Sequence, residues 1–366
     1  MKRIGLAHCT IRSGDAIGND LAGQYRTLAA MGFSPVLVGE YFPDAGTDSF
    51  ERLVLTGPEA LAPLDAVIYH HSFHWPVGGQ ALADFRGPVA FKYHNVTPPA
   101  YFHGFAPHYV DRCALGRAQT DELSAAFPKA WWTADSAFNR AELLAAGVDP
   151  QRATVVPPFT RVDSLRDRGD QPRDPLHWLF IGRWAPNKGH RELVECLAMY
   201  RRHYASRARL TVVGAVDESM GGYNVAVWNA VEAHALQGAV DFRPHVSDDE
   251  LDRLLATAGC YVNLSLHEGF CVPVIEAQAV GLPVLTGNAG ASAETAGPEQ
   301  AVVPVPVDDE DYQFVARVAH EIAGNARLRE TAVAAGRRNV ERRFTHEAVA
   351  NAFVGAIEPL LREIAG

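Results

Sequence analysis

The chain is poor in cysteine, in positive charge and in long apolar runs, and each shortage closes off a class of protein. Five cysteines among 366 residues (Cys9, Cys113, Cys196, Cys260 and Cys271) are odd in number and share no CxxC spacing. They read as buried thiols in a reducing compartment, not as a disulfide or zinc framework. The formal net charge is −10. Residues 1–172 carry 15 basic and 18 acidic side chains and residues 173–366 carry 18 and 25, so neither half offers the basic surface that grips nucleic acid. No run of Lys and Arg is present to hold an anionic membrane. The opening "MKRIGLAHCTIRSG" contains only a short apolar run, less than a signal peptide needs. No apolar segment approaches the roughly 20 residues that cross a bilayer. The expectation is a soluble, cytoplasmic protein with no nucleic-acid partner and no firm membrane attachment.

What is present is alternation. Short β-rich runs ("RIGLAHC", "PVLVGE", "AVIYHH", "PVAFKYHN", "AWWTADS", "ATVVPP") are followed in the second half by "HWLFIGR", "ARLTVVGAV", "VDFRPHV", "CYVNLS", "PVLTGN" and "AVVPVPV". Helical patterns such as "GNDLAGQYRTLAAMG", "GHRELVECLAMYRRHY" and "SDDELDRLLATAG" lie between them. Apolar strands alternating with helices imply parallel sheets buried on both faces, an α/β fold. The length suits two such domains. Residues 161–178, charged and holding Gly169, Pro172 and Pro175 with no period, read as the linker. The expected domains are 1–172 and 173–344, with an amphipathic helix over 345–366 that opens on Thr345 and Glu347.

Ligands of such sheets sit beyond the carboxyl ends of the strands, and two segments fall there. "HWLFIG" runs into "GRWAPNKGH", which sets Gly182, Arg183 and Lys188 on a loop feeding a helix. Two cations beside free helix N–H groups make an anion clamp, although the GK lacks the Ser or Thr of a P-loop. "HEGFCVPVIEAQAVG" then places Glu268 in the exit loop of a strand and Glu276 in the helix that begins near Pro273. Two acids that far apart suit gripping separate groups of one ligand, and a phosphate fits the N–H groups of Phe270, Cys271 and Val272. Taken alone, the cation loop is equally compatible with solvated surface charge, and the two glutamates fit a solvated face better than a site.

In tandem, G-R-x4-K-G followed by H-E-G-F and a second Glu after seven intervening residues resembles the retaining nucleotide-sugar glycosyltransferases of family 4, also called group 1. The resemblance is strongest over 177–297. It implies the GT-B architecture, two Rossmann-like domains with parallel sheets facing across a cleft, and a final helix that crosses back to the first domain. It further implies that Arg183 and Lys188 neutralise the donor diphosphate and that Glu276 holds the ribose. Glu268 then holds the donor sugar beside the backbone of Gly269, Phe270 and Cys271. "KYHNVTPP" is similar to the family's histidine loop, which makes His94 a catalytic candidate, with Asn95 departing from the usual acidic residue. "TIRSGDAIGNDLAG" resembles its glycine-rich first loop, through Gly14, Asp15, Gly18 and Asn19.

His70, His71 and His74 in "YHHSFH" invite a metal reading, but no nearby acid or cysteine in sequence completes a set, and the family manages without a divalent ion; no metal and no cofactor are expected. The tryptophan pair in "KAWWTADSAFNR" reads as core, while Ser136 and Arg140 fall where relatives reach the cleft. The implied partners are a nucleoside-diphosphate sugar, with UDP or GDP as the nucleotide, and a hydroxyl-bearing acceptor. The product is a glycan, polysaccharide or glycoconjugate. A sugar-nucleotide epimerase and a non-catalytic sugar-nucleotide-binding subunit are the alternatives.

Overall fold

A computed structural model describes residues 1–43, 49–166 and 171–365. Its first sheet contains β1 (Arg3–Ala7), β2 (Ser34–Gly39), β3 (Arg52–Val54), β4 (Ala66–His71), β5 (Val89–Tyr93), β6 (Trp131–Ala134) and β7 (Ala153–Val155). The strands run parallel in the order β3-β2-β1-β4-β5-β6-β7. A second parallel sheet contains β8 (Asp174–Ile181), β9 (Arg209–Val213), β10 (Val240–Arg243), β11 (Ala258–Asn263), β12 (Val284–Gly287) and β13 (Ala301–Val303), in the order β10-β9-β8-β11-β12-β13. Each order reverses once, at β1/β4 and at β8/β11. Such a reversal opens a crevice between loops that leave in opposite directions.

The described residues form two compact units. One comprises residues 1–98, 111–161 and 343–366, and the other comprises 99–110 and 162–342. The division expected at residue 172 therefore falls at 161/162, and a twelve-residue stretch of the first half is built into the second unit. The expected linker 161–178 is largely regular. Val162–Arg166 is a short helix that buries Val162 and Leu165 and packs on the helix Val272–Ala279, and β8 begins at Asp174. Residues 167–170, Gly169 among them, lie outside the described residues.

Period-two alternation gives the first sheet two faces. Val67 and Tyr69 of β4 join Val36, Val38, Phe91 and Trp132 on one side. Ala66 and Ile68 join Ile4, Leu6, Leu21 and Leu28 on the other. The last helix, His346–Ala365, covers that second face with Val349, Phe353, Ile357, Leu360, Leu361 and Ile364. This stripe recurs every three to four residues and explains why a segment following the second sheet belongs to the first unit. The Thr345 hydroxyl accepts from the Ala348 N–H at 3.3 Å and caps the helix. Among the described residues no helix is long and apolar enough to cross a membrane.

Candidate functional site

The two sequence segments that carry Arg183, Lys188, Glu268 and Glu276 leave from the ends of β8 and β11, the strands that flank the reversal of the second sheet. Asn187 joins them. Its carbonyl accepts from the N–H groups of Leu266 at 2.8 Å and His267 at 3.3 Å, and its side chain donates back to the His267 carbonyl at 3.3 Å. Gly189 lies at φ +68°, and a Cβ there would come within 2.2 Å of the Leu264 carbonyl oxygen. Only glycine lets the loops approach this closely. On the far side the Glu268 carbonyl accepts from Ala291 N–H at 2.9 Å, and a Cβ on Gly290 would meet that carbonyl oxygen at 2.2 Å.

Held this way, the Lys188 ammonium sits 2.7 and 2.9 Å from the two carboxylate oxygens of Glu268. Glu268 is buried and Lys188 half-buried, so the pair is only weakly screened. Gly182 lies alongside, where a Cβ would touch Lys188 Cδ at 3.8 Å. Glu276 is buried in the helix Val272–Ala279. Beneath the acids lies Tyr261 of β11, whose phenol is raised well above its ordinary value, first by burial and then by the charges of Cys271, Glu268 and Glu276. Burial and the Glu268 charge likewise push the Cys271 thiol up, which makes it a neutral packing group. Cys271 caps the helix with a left-handed backbone, φ +77° and ψ +69°, a conformation non-glycine residues hold only where the surroundings impose it. Phe270 is buried beside it, its carbonyl accepting from the Thr295 hydroxyl, and Gly269 and Val272 complete the loop. Arg183 is exposed, its guanidinium 5.6 Å from the centre of the Tyr109 ring.

The amino-terminal candidates gather at the other reversal, with a different character. Asp15 caps the helix Ala16–Ala30, accepting from Gly18 N–H at 2.7 Å. Gly18 is required because a Cβ would stand 1.7 Å from the Arg12 carbonyl oxygen, so the backbone it approaches is its own loop. Gly14 is exposed at φ +85°, and Asn19 lies in the first turn of the helix. His94 is an interior residue. Its Nδ1 lies 2.9 Å from Asp135 Oδ2, and its Nε2 lies 2.9 Å from His70 Nδ1 and 3.8 Å from Asp20 Oδ2. Asp135 also pairs with Lys92 at 2.8 Å, and Lys92 donates to the Val156 carbonyl. Burial acts to raise the Asp135 carboxyl, but the charges of His94 and Lys92 outweigh it and hold the group low.

Donor and acceptor bookkeeping fixes the protons in this cluster. Gln24 donates its amide N–H to Asp20 at 3.0 Å, so its carbonyl oxygen faces His70 Nε2 at 3.1 Å and that nitrogen must carry a proton. His70 is fully buried with its pKa well below the ordinary value, first because of burial and then because of the neighbouring His94 charge, so it is neutral and its Nδ1 is a lone pair. His94 must therefore donate to it, and it donates again to the Asp135 carboxylate.

Among the described residues, Asp20, His70 and His94 do bring ligand-type atoms within 4.8 Å of one another. Asp20 is the acid that the sequence reading lacked, because it lies 50 residues from His70. A proton occupies the space between the two imidazoles, and a metal ion would have to displace it. His71 is buried against Gly116 and Thr120. Ser136 caps the helix Ala137–Ala145, and Arg140 donates to the carbonyls of Ala153 and Pro150. These two side chains brace the unit internally. Asn187, Tyr109, Asp20, Gln24 and Asp135 escaped the sequence reading. A lysine in the middle of the apolar strand "VAFKY" was the one clue, since it demands a buried acid.

Two parallel sheets, each with a single reversal of strand order, make up a GT-B fold. The solved sucrose-phosphate synthase of Thermosynechococcus elongatus shares it, with a TM-score of 0.76 and 19% identity, covering 99% of this chain and 100% of that one. Residues 162–338 match the model of the family described as Glycosyl transferases group 1. Among curated relatives, the O-antigen chain mannosyltransferase B of Escherichia coli is 29% identical over 119 residues, 32% of this chain and 30% of that protein. The GDP-mannose-dependent alpha-mannosyltransferase of Mycobacterium tuberculosis is 31% identical over 177 residues, 48% of this chain and 41% of that protein. The chain thus spans less than half the length of these relatives.

Proposed function

We propose that the protein is a retaining glycosyltransferase that moves a sugar from a nucleoside-diphosphate sugar to a hydroxyl acceptor, with the unit built on β8–β13 holding the donor. One observation carries the reading. Lys188 and Glu268 meet at 2.7 Å on loops from the two strands flanking the sheet reversal, beside the amino end of a helix that carries the buried Glu276. Cations and helix N–H groups suit a diphosphate, and buried carboxylates suit sugar hydroxyls.

In this reading Arg183 and Lys188 take the diphosphate, with the backbone of Gly182, Gly269, Phe270, Cys271 and Val272 around it. Glu276 takes the ribose and Glu268 the sugar. The bond between the anomeric carbon and the diphosphate oxygen breaks while the acceptor oxygen bonds to the same face of that carbon. The acceptor proton passes to the departing phosphate oxygen. Negative charge grows on the diphosphate as this happens, and fixed cations stabilise it more than they stabilise the intact donor. These cations supply the neutralisation, so no divalent ion is assigned. His94 has both ring nitrogens engaged, by Asp135 and by His70, so it is assigned a structural part in the first unit, and that unit is assigned the acceptor. The family match and the mannosyltransferase names make GDP-mannose the first donor to try. Free thiols at all five cysteines fit a cytoplasmic setting.

The test is a thermal-shift screen with UDP, GDP, ADP and dTDP sugars in the presence of EDTA, followed by product analysis with candidate acceptors. A true donor at 100 times its Kd adds about 2.7 kcal/mol of stability. No shift with any nucleotide sugar overturns the reading.

A further inference from the structure

Residues 99–110 belong by sequence to the first half and by contacts to the unit of the second sheet. Their side chains reach both loops of the candidate site. The Tyr101 hydroxyl donates to the Leu266 carbonyl at 2.9 Å, two residues before Glu268. Tyr109 lies beneath Arg183, with the guanidinium carbon 5.6 Å from the ring centre and its Nη1 donating to the phenol oxygen at 3.5 Å. The ring is itself held. It stacks on Phe102, centroids 5.0 Å apart and planes 19° from parallel, and its hydroxyl donates to Asp217 Oδ2 at 2.7 Å.

Asp217 is built to receive that bond. Its other oxygen accepts from the Ser219 N–H at 2.9 Å. Burial acts to raise its carboxyl, but the hydrogen bonds from Ser219 and Tyr109 and the charge of Arg183 prevail and hold it below the ordinary range. A phenol that donates to a carboxylate presents a more electron-rich oxygen to a neighbouring N–H, so the two contacts reinforce one another. Tyr109 stays protonated, because burial and its bond to Asp217 both raise its pKa.

We propose that Tyr109 is a positioning residue for Arg183: its ring and hydroxyl hold an exposed, flexible guanidinium in the orientation in which it meets the donor diphosphate. An arginine free in solvent samples many rotamers, and restricting them before binding removes part of the entropy cost of gripping a phosphate. The inference rests on the donor reading of Arg183, and the experiment separates the two.

Binding of GDP, UDP, ADP and dTDP, which share the diphosphate, is measured by calorimetry for the wild type, Tyr109→Ala, Tyr109→Phe, Arg183→Ala and the double variant Tyr109→Ala/Arg183→Ala. Tyr109→Ala should weaken the best-bound nucleotide about 5- to 10-fold, the size expected of one surface cation–π contact and one hydrogen bond. Tyr109→Phe keeps the plate and should lose about half of that effect on a logarithmic scale. In the Arg183→Ala background, Tyr109→Ala should cost nothing further. A Tyr109 effect that persists undiminished without Arg183, or an unchanged affinity in both Tyr109 variants while Arg183→Ala binds weakly, overturns the positioning role and leaves the donor reading intact. Unchanged affinity in Arg183→Ala overturns both. Tyr109→Phe preserves the packing on Phe102, so the comparison survives should the alanine variant fold poorly.

Discussion

At the residue scale the ion pair between Lys188 and Glu268 separates two kinds of group. Each already has a partner of opposite charge before any ligand arrives, so a diphosphate has to compete with Glu268 for the Lys188 ammonium. Lys188→Ala is expected to lower kcat sharply at saturating donor, with the unfolding midpoint retained; an unchanged rate would remove Lys188 from the reaction. Glu268→Gln frees the ammonium while keeping the shape. It should bind nucleoside diphosphates more tightly than wild type, by several-fold for one charged hydrogen bond released, while nucleotide sugars lose turnover. Calorimetry with the diphosphate and steady-state kinetics with the sugar read the two arms. His70 offers a second residue-scale prediction. Nitrogen-15 spectra at pH 7.5 should show it neutral and protonated at Nε2 alone, with no change on added Zn2+. A proton on its Nδ1, or a zinc-induced shift, would break the assignment.

At the element scale the two loops at β8 and β11 act as one body, because the Asn187 backbone and Gly189 bind them edge to edge. Gly189→Ala faces both a left-handed backbone and a carbonyl at 2.2 Å, so the loop must move. A loss of roughly 1–3 kcal/mol is expected from the backbone alone, together with weakened diphosphate binding. Gly238→Ala, where an added Cβ meets nothing within 4 Å, serves as the neutral control in the same urea titration.

The elements themselves were legible to unequal degrees. The twelve strands read from the sequence are present because each is a compact apolar run, whereas β3 is three residues at a sheet edge, too short to show a period. The helix Pro107–Ala126 was also invisible. Its buried positions are Gly116, Gln119, Thr120, Leu123 and Ser124, which give no apolar stripe to read. The spacing of Arg183, Lys188, Glu268 and Glu276 was legible because it is local. The Asp20–His70–His94–Asp135 cluster was not, since its members come from a helix, a strand and two strand-end loops far apart in sequence, and only the fold brings them together. The embedding of residues 99–110 in the second unit had no local signature, since aromatic residues in "AYFHGFAPHY" suit any core.

For the whole molecule, buried neutral histidines set the acid limit. Burial pushes His8 and His177 down to about 4 and His71 and His190 to about 3, and it drives His70 well below its ordinary value. In the unfolded chain each returns to about 6.5. As pH falls below that value the unfolded state takes up protons that the native state refuses, so stability is full above about pH 7 and is lost on acidification. Each histidine adds up to ~1.4 kcal/mol per pH unit to the slope. Asp135 and Asp217, held low in the fold, favour the native state until the pH falls below about 4, so they do not contribute to losses above that point. Asp15, Asp20 and Glu192 are raised by burial and act in the opposite sense, because the native state protonates them first, and this moderates the slope as the pH approaches their range. Urea midpoints at pH 7.5, 6.5 and 5.5 at constant ionic strength should therefore fall with each step, before the carboxylates of the unfolded chain titrate. Three of the five histidines lie in the first unit and two in the second, so a transition that resolves into two should show both moving. His177→Gln, which removes one ring from the second unit, should flatten only that unit's slope, and a midpoint independent of pH over this range would mean that the buried rings are already protonated in the native fold.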